Sequence, residues 1–329
     1  MQEEQKSISF LNEKYKKLVE ILNNTEQTSL DLNGRRGAKN LDEKISDEMM
    51  IIISDALKKN SNLKSIDLSY NEIGDEGIEY LSQSLNLNSS LNKINLQNNK
   101  IGDKGLKHLY GSLKANSILK TLNLSLNKIG DDGIKHLSHI LKVNSSLNYL
   151  NLGSNDIGSE GMRYLSESLK VNSCLKILQL GYNHVGYQGL KYLSEALLKN
   201  SSLKNLDLQD NYLESEGVKY LSDSLKVNSS LIIIDLWSNN IGDEGAKYLS
   251  NSLKTNCSLN LINIGNNNIG EEGASHFLEC LASNQYLFNV NIDTYNISEN
   301  LKNKITQRTY ENKKNSKLVV FSSMVLVKS

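Results

Sequence analysis

Histidine is the residue type in this 329-residue chain whose spacing comes nearest to that of a metal site. His139 follows His136 by three residues, which would place both imidazoles on one face of a helix as neighbouring zinc ligands. The position of His136 recurs at a fixed interval and accepts either histidine or tyrosine. The other members of this series are Tyr80, His108, Tyr164, Tyr192, Tyr220, Tyr248 and His276. A ring with a polar tip at a helix surface explains the series, so no metal site is predicted.

Hydrolytic chemistry has no better support in the sequence. The serines fall at recurring positions, such as those of Ser82 and Ser89, and no separate set of serine, histidine and aspartate resembles a catalytic triad. The glycines belong to the same recurring pattern and form no phosphate-binding loop. We therefore expect a protein that is not an enzyme and requires no cofactor.

The recurring pattern is a repeat of constant length. Leucines from Leu63 to Leu287 lie 28 residues apart, so residues 63–286 divide into eight equal units. A chain with such a period forms an elongated solenoid, in which each unit buries its apolar side against its neighbours. The positions of function are then expected among the few residues that vary from one unit to the next.

Each unit contains two hydrophobic periods. Ile66 and Leu68 alternate with polar residues, as in a strand, whereas Ile78, Leu81 and Leu85 have the spacing of a helix. Short strands and helices stacked in register place all strands in one parallel sheet, with the helices outside. The predicted fold class is therefore an α/β solenoid, or horseshoe, with a concave parallel sheet and convex helices.

The motif of one unit, LxxLxLxxN followed by IGDEG and xxxLxxxLxxN, resembles the ribonuclease-inhibitor-like class of leucine-rich repeats. The same class occurs in NOD-like receptors and in Ran GTPase-activating protein, so the resemblance implies the fold and leaves the function open. In that class, the asparagine that closes each strand hydrogen-bonds backbone groups of neighbouring turns. The matching residues are Asn71, Asn99, Asn127, Asn155, Asn183, Asn211, Asn239 and Asn267, and Tyr295 ends the series.

The two ends of the chain depart from the regular repeat. A capping helix is predicted within residues 1–27, from the spacing of Phe10, Leu11, Tyr15, Leu18, Val19 and Leu22. The predicted parts that follow are a leucine-rich-repeat domain at 28–298, with a degenerate first repeat at 28–62 and a terminal strand at 287–298, and then a helix and apolar tail at 299–329. The first repeat carries an insertion of eight residues around Asn33 to Asn40. Within the regular repeats, Glu214 replaces a recurrent glycine, and this replacement predicts an irregular turn.

Composition narrows the class of partner and the cellular location. The 37 basic and 37 acidic residues cancel, which argues against nucleic-acid and membrane-surface binding. Cys174, Cys257 and Cys280 form neither a disulfide framework nor a metal-ligand spacing, as expected of free thiols in a reducing compartment. No secretory signal or membrane-spanning stretch is recognisable. The sequence therefore predicts a cytoplasmic protein, expected to be a monomer.

The strand positions that point away from the core vary most, and they predict a protein-binding face. Large apolar side chains gather in the second half of the repeats, within about 20 Å on strands about 4.8 Å apart. These residues are Tyr149, Ile177, Tyr182, Ile233, Trp237 and Leu261. Glycines beside Trp237 are expected to leave its ring open. Exposed aromatic and aliphatic residues with a polar border are typical of a binding hot spot.

Charge refines the partner that this face would bind. Its inferred acidic residues are Asp67, Asp207, Asp210, Asp235 and Asp293, with Lys93 as the basic one, so a protein partner with basic and apolar features would fit. Free drift of unconstrained positions is the alternative explanation for both patterns. A second function is a GTPase activator similar to Ran GTPase-activating protein, in which Arg35 or Arg36 of the insertion would supply the arginine that the resemblance implies.

Overall fold

A computed structural model describes residues 10–24, 26–36, 43–292 and 296–315. The chain divides into two compact units, Met1–Leu178 and Gln179–Ser329. Tyr295, Asp293 and the apolar tail at 318–327 lie outside the described residues, so the expectations for them stay predictions.

The described part of the first unit has helical residues followed by alternating short strands and helices. Residues 10–14 are helical. The elements that follow are α1 (Lys16–Leu22), β1 (Ser29–Asp31), a 3-10 turn (Gly34–Arg36), α2 (Asp47–Lys59), β2 (Ser65–Asp67), α3 (Asp75–Leu85), β3 (Lys93–Asn95), α4 (Asp103–Ala115), β4 (Thr121–Asn123), α5 (Asp131–Leu141), β5 (Tyr149–Asn151) and α6 (Ser159–Leu169).

Strand β6 (Ile177–Gln179) contains the division, and the second unit continues the alternation. Its further elements are α7 (Gly186–Leu197), β7 (Asn205–Asp207), α8 (Glu214–Leu225), β8 (Ile233–Asp235), α9 (Gly242–Leu253), β9 (Leu261–Asn263), α10 (Glu271–Ser283), β10 (Asn289–Asn291) and α11 (Glu299–Asn315).

Consecutive strands pair in parallel within each unit, from β1 to β5 in the first and from β7 to β10 in the second. Partners such as Asn205 and Ile233 are one repeat apart, whereas Ser29 pairs with Ser65 across the longer first repeat. This register confirms the α/β solenoid class. None of the described helices is long and apolar enough to cross a membrane.

The core follows the two periods of the sequence. The middle residue of β7, Leu206, is fully buried, and so are helix residues such as Leu221 and Leu225. In the N-terminal helical segment Leu11 is buried, but Phe10 is 67% exposed. The expectation of a capping helix within residues 1–27 stays a prediction.

A ladder of buried asparagines joins the turns, as the resemblance implied. The side-chain amide of Asn239 donates to the carbonyls of Leu208, Leu236 and Trp237 at 2.9–3.1 Å. Its Oδ1 accepts the backbone N–H of Asn211 at 2.9 Å. One side chain thus satisfies peptide groups of two adjacent repeats that burial would otherwise leave unpaired.

Aspartates at the starts of the helices form a second ladder. Asp243 Oδ1 accepts the N–H of Gly270 at 2.7 Å and that of Gly273 at 3.0 Å, both in the following repeat. A Cβ on Gly273 would collide with the Asp243 carboxylate, which explains the recurrent glycine.

The aspartate ladder is interrupted in the second unit, and the turns change where it is missing. Tyr187 and Ser215 occupy the aspartate position before the turns at Glu214 and Gly242. Glu214 and Gly242 adopt left-handed φ values of 58° and 64°. Gly270, whose N–H is bound by Asp243, has a φ of −102°. The turn at Glu214 is thus irregular as predicted, but Gly242 shares the irregularity because its cause is the missing carboxylate in the preceding repeat.

Helix α11 closes the second unit. It buries Leu301 and Ile305, and the amide of Asn312 donates to the carbonyls of Asn284 and Leu287 at 2.7 and 2.9 Å. Asn312 therefore satisfies the last turn of the repeats in the way that an asparagine of a further repeat would.

Candidate partner-binding site

The predicted apolar residues of the second unit lie on adjacent strands of its sheet. Ile233 begins β8 and pairs in register with Leu261 at the start of β9. The buried middle residue Ile234 points into the core, so the side chains on either side of it point to the opposite face. Ile233 and Leu261 are both half-buried, which leaves part of each side chain on that face open to a partner.

Trp237 follows β8 by two residues, and its backbone is held on both sides. Its N–H donates to Asp235 Oδ1 at 3.0 Å, and its carbonyl accepts the N–H of Asp210 at 2.8 Å. The residue is half-buried, so its ring is less open than the neighbouring glycines suggested. Because the backbone is already fixed, a binding partner would have to order only the side-chain torsions of Trp237.

Asp207 and Asp235 end adjacent strands and are in register with each other. Each carboxylate accepts the N–H of the residue two positions later at 3.0 Å, which is the hydrogen bond of an Asx turn. Asn123 and Asn263 make the same bond at the equivalent position of other repeats. The turn therefore needs a side-chain oxygen and does not need the negative charge.

The charge at this pair carries an energetic cost. Burial raises the pKa of Asp207, and the charge of Asp235 raises that pKa further, against the opposing effect of hydrogen bonds from Gln209. The amide of Asn263 donates to both oxygens of Asp235 at 2.9 and 3.1 Å. Like charges opposite each other on adjacent strands are destabilising.

Tyr182 and Asp210 lie at the turn that follows their strands, in a conformation the sequence analysis missed. Their φ values are 59° and 49°, in the left-handed region that favours glycine and asparagine. Tyr182 is 46% exposed in this conformation. The signal was present in the sequence, because Asn98 and Asn266 occupy the same position in other repeats.

Two predicted residues belong to the first unit. Tyr149 begins β5 and Ile177 begins β6, and each is half-buried at a strand position adjacent to a buried leucine. They lie on the sheet face of their own unit. The residues that the structure brings together are thus those of the second unit: Asp207, Asp210, Ile233, Asp235, Trp237 and Leu261, with Tyr182 in the turn after β6.

The alternative regulatory residues show a different environment. The guanidinium of Arg35 stacks on the ring of Tyr70, with Cζ 3.7 Å from the ring centroid, and the Arg36 side chain lies outside the described set. No observation supports a GTPase activator. Within the described residues, no group of three or more histidine, cysteine, aspartate or glutamate side chains is arranged to hold a metal ion.

The parallel register, the helices and the asparagine ladder define a leucine-rich-repeat fold. A model of the Leucine Rich repeat matches residues 59–82, 199–222, 227–250 and 255–278, and a model of the TMOD/LMOD Leucine-rich domain matches residues 85–189. The chain is a leucine-rich repeat protein, as its motif predicted.

Two solved structures are similar to parts of the chain. One is the tropomodulin C-terminal domain of Caenorhabditis elegans, with 17% identity and a TM-score of 0.41, covering 46% of this chain and 96% of that one. The other is described as Leiomodin-1 Actin-Binding Site 2, with 12% identity and a TM-score of 0.33, covering 67% of this chain and 95% of that one. No curated protein sequence matches the chain.

Proposed function

We propose that the protein is a non-enzymatic interaction module that binds a protein partner on the sheet face of its second unit. The main support for this proposal is the pair of carboxylates, Asp207 and Asp235, which lie in register on adjacent strands. Their turns do not require a negative charge, because asparagine forms the same turn in other repeats. A partner that supplies a positive charge would recover the energy that this pair costs the free protein.

The face also defines the remaining chemistry of the partner. Ile233, Trp237 and Leu261 offer a half-buried apolar surface next to the carboxylates, so the partner should present an apolar anchor beside a lysine or arginine. Tyr182 would contribute an aromatic ring that is held outward at a conformational cost. In the first unit, Tyr149 and Ile177 are proposed to provide further partner contacts on its own sheet face.

The cysteines support a location in a reducing compartment. Cys174, Cys257 and Cys280 are free thiols with different degrees of burial. We place the interaction in the cytoplasm on this basis. Actin, which the description of the leiomodin structure names, is one defined protein for the assay, and the chemistry of the face alone carries the proposal.

The test compares the retention of partners by the wild type and by Trp237→Ala combined with Ile233→Ala. Each immobilised protein is exposed to cell lysate and, separately, to purified actin, and retained proteins are identified by mass spectrometry. Val227→Ala is the matched control, because Val227 is 65% exposed in the loop after α8, away from the strands. All three proteins must first show equal thermal unfolding.

The proposal expects a partner that the wild type and Val227→Ala retain and the double variant loses. Retention of that partner should also weaken as salt is added, because charges on the face contribute to it. Equal recovery by all three proteins would refute the assignment of this face.

A further inference from the structure

The one place where the repeat carries an insertion forms a cavity of about 270 Å³ in the first unit. Its lining includes Gly34 and Arg35 from the insertion, Tyr70 and Glu72 from the next turn, and the lysines Lys44 and Lys100. We propose that this cavity binds the phosphate group of a small phosphate monoester. The proposal concerns a different surface from the partner face and does not depend on it.

The described start of the insertion, residues 33–36, is fixed against the neighbouring turn by hydrogen bonds, so the cavity is a built feature of the fold. The N–H of Gly34 donates to the carbonyl of Ser69 at 2.9 Å, and the amide of Asn33 donates to Ser69 Oγ at 2.7 Å. Asn33 Oδ1 in turn accepts the N–H of Arg35 at 2.9 Å. A Cβ on Gly34 would overlap the carbonyl of Tyr70, so glycine is required to bring the insertion this close.

Arg35 is pre-oriented for an anion. Its guanidinium lies over the Tyr70 ring, with Cζ 3.7 Å from the ring centroid, and its side-chain N–H donors have no acceptor among the described residues. A planar guanidinium held in this way presents two parallel donors, the geometry that phosphate oxygens accept. Tyr70 has a left-handed φ of 60°, the conformation shared by Asn98 and Asn266 at the same position of other repeats.

The charges around the cavity match a dianion. Arg35, Lys44 and Lys100 are positive, and Glu72 is the one negative lining residue. Lys100 forms a salt bridge with Glu72 at 3.0 Å, whereas Lys44 makes no salt bridge within the described part of the chain. Hydrogen bonding to Lys100, assisted by the charge of Lys44, lowers the pKa of Glu72. Two positive charges therefore remain in excess, and a phosphate monoester carries about −1.5 to −2 at neutral pH.

The arginine side chains give a direct readout of the site. The chain has four arginines, Arg35, Arg36, Arg163 and Arg308, so their Nε–H signals are resolvable in a ¹H–¹⁵N spectrum, and Arg35→Ala identifies the first. Inorganic phosphate and O-phosphoserine are titrated separately at constant ionic strength, with acetate as the monoanionic control. We expect saturable movement of the Arg35 signal with a Kd of about 1 mM or tighter. Arg163, already bonded to Glu160 at 2.9 Å, should not respond.

Variants separate the site from general surface charge. Lys44→Ala should weaken binding of O-phosphoserine about tenfold, the cost of losing one charge-assisted contact. Arg35→Lys keeps the charge and loses the planar pair of donors, so it should also weaken binding. Lys128→Ala is the matched control, because Lys128 has the same repeat position as Lys44 and Lys100 and lies outside the cavity lining.

The source of the phosphate is tested with vesicles. Phosphatidylcholine vesicles with and without phosphatidic acid show whether a lipid-borne monoester reaches the cavity as the soluble one does. Saturable binding of either form that requires Arg35 and Lys44 supports the proposal. An Arg35 signal unmoved by every phosphate probe, or equal loss of binding in Lys128→Ala and Lys44→Ala, would overturn it.

Discussion

Asp207→Asn separates the charge of the sheet face from its turn. The asparagine Oδ1 would still accept the N–H of Gln209, as Asn263 does for Gly265 in a neighbouring repeat. What is lost is the carboxylate, whose pKa is raised by burial and by the charge of Asp235. We expect the variant to be more stable than the wild type at neutral pH by about 0.5–1 kcal/mol, the scale of a cross-strand charge effect.

The sign of this effect depends on pH. Because the folded-state pKa of Asp207 lies above its ordinary value of 3.8, the folded wild type resists ionisation, and its stability falls as pH rises through that range. The advantage of the variant should therefore be full above the raised pKa and shrink as pH falls towards about 4. Urea unfolding at several pH values, followed by the fluorescence of Trp237, the only tryptophan, measures the difference in free energy of unfolding between the two proteins.

Partner retention provides the second half of this prediction. If the charge serves binding, Asp207→Asn should retain less of the partner while being more stable. Asn263→Asp is the converse variant, because it replaces the amide that donates to Asp235 with a third carboxylate, and it should lower stability at neutral pH. Reduced stability of Asp207→Asn at neutral pH would show that the carboxylate stabilises the fold, and the argument for a binding role would fail.

Two further predictions concern the turns. Glu214→Gly should stabilise the second unit by about 1 kcal/mol, because glycine adopts the left-handed φ of 58° without strain; a lower midpoint of urea unfolding would show that the Glu214 side chain makes a compensating contact. Asp243→Ala should destabilise by about 1–3 kcal/mol, because it removes the acceptor of two N–H groups at Gly270 and Gly273, and hydrogen exchange of those two amides should accelerate. Unchanged exchange in this variant would contradict the role of the aspartate ladder.

The period of the sequence was sufficient for the strands, the helices and the register. It also identified which side of β8 and β9 is open, since Ile233 and Leu261 flank positions that are always apolar. It was not sufficient for the turns. Whether Gly242 is left-handed depends on residue 215 in the preceding repeat, and that dependence becomes visible only when the helix start is seen beside the following turn.

The site was predictable to a similar extent. The alternation of apolar and polar residues in the strands placed Asp207 and Asp235 on one face. That their charge is not required by the turn became visible only in the structure, where asparagine makes the same hydrogen bond in another repeat. The contact of Arg35 with Tyr70 could not be predicted from the sequence, because the insertion interrupts the 28-residue period from which the other contacts were inferred.

The asparagine ladder has a direction, and this matters while the chain is being made. Asn71 accepts the N–H of Ile45, Asn99 that of Ile73 and Asn239 that of Asn211, so the acceptor comes 26 or 28 residues after the group it satisfies. A repeat leaving the ribosome therefore has an unfinished turn until its successor emerges. Premature termination within the repeats would leave the N–H groups of one such turn without their asparagine acceptor.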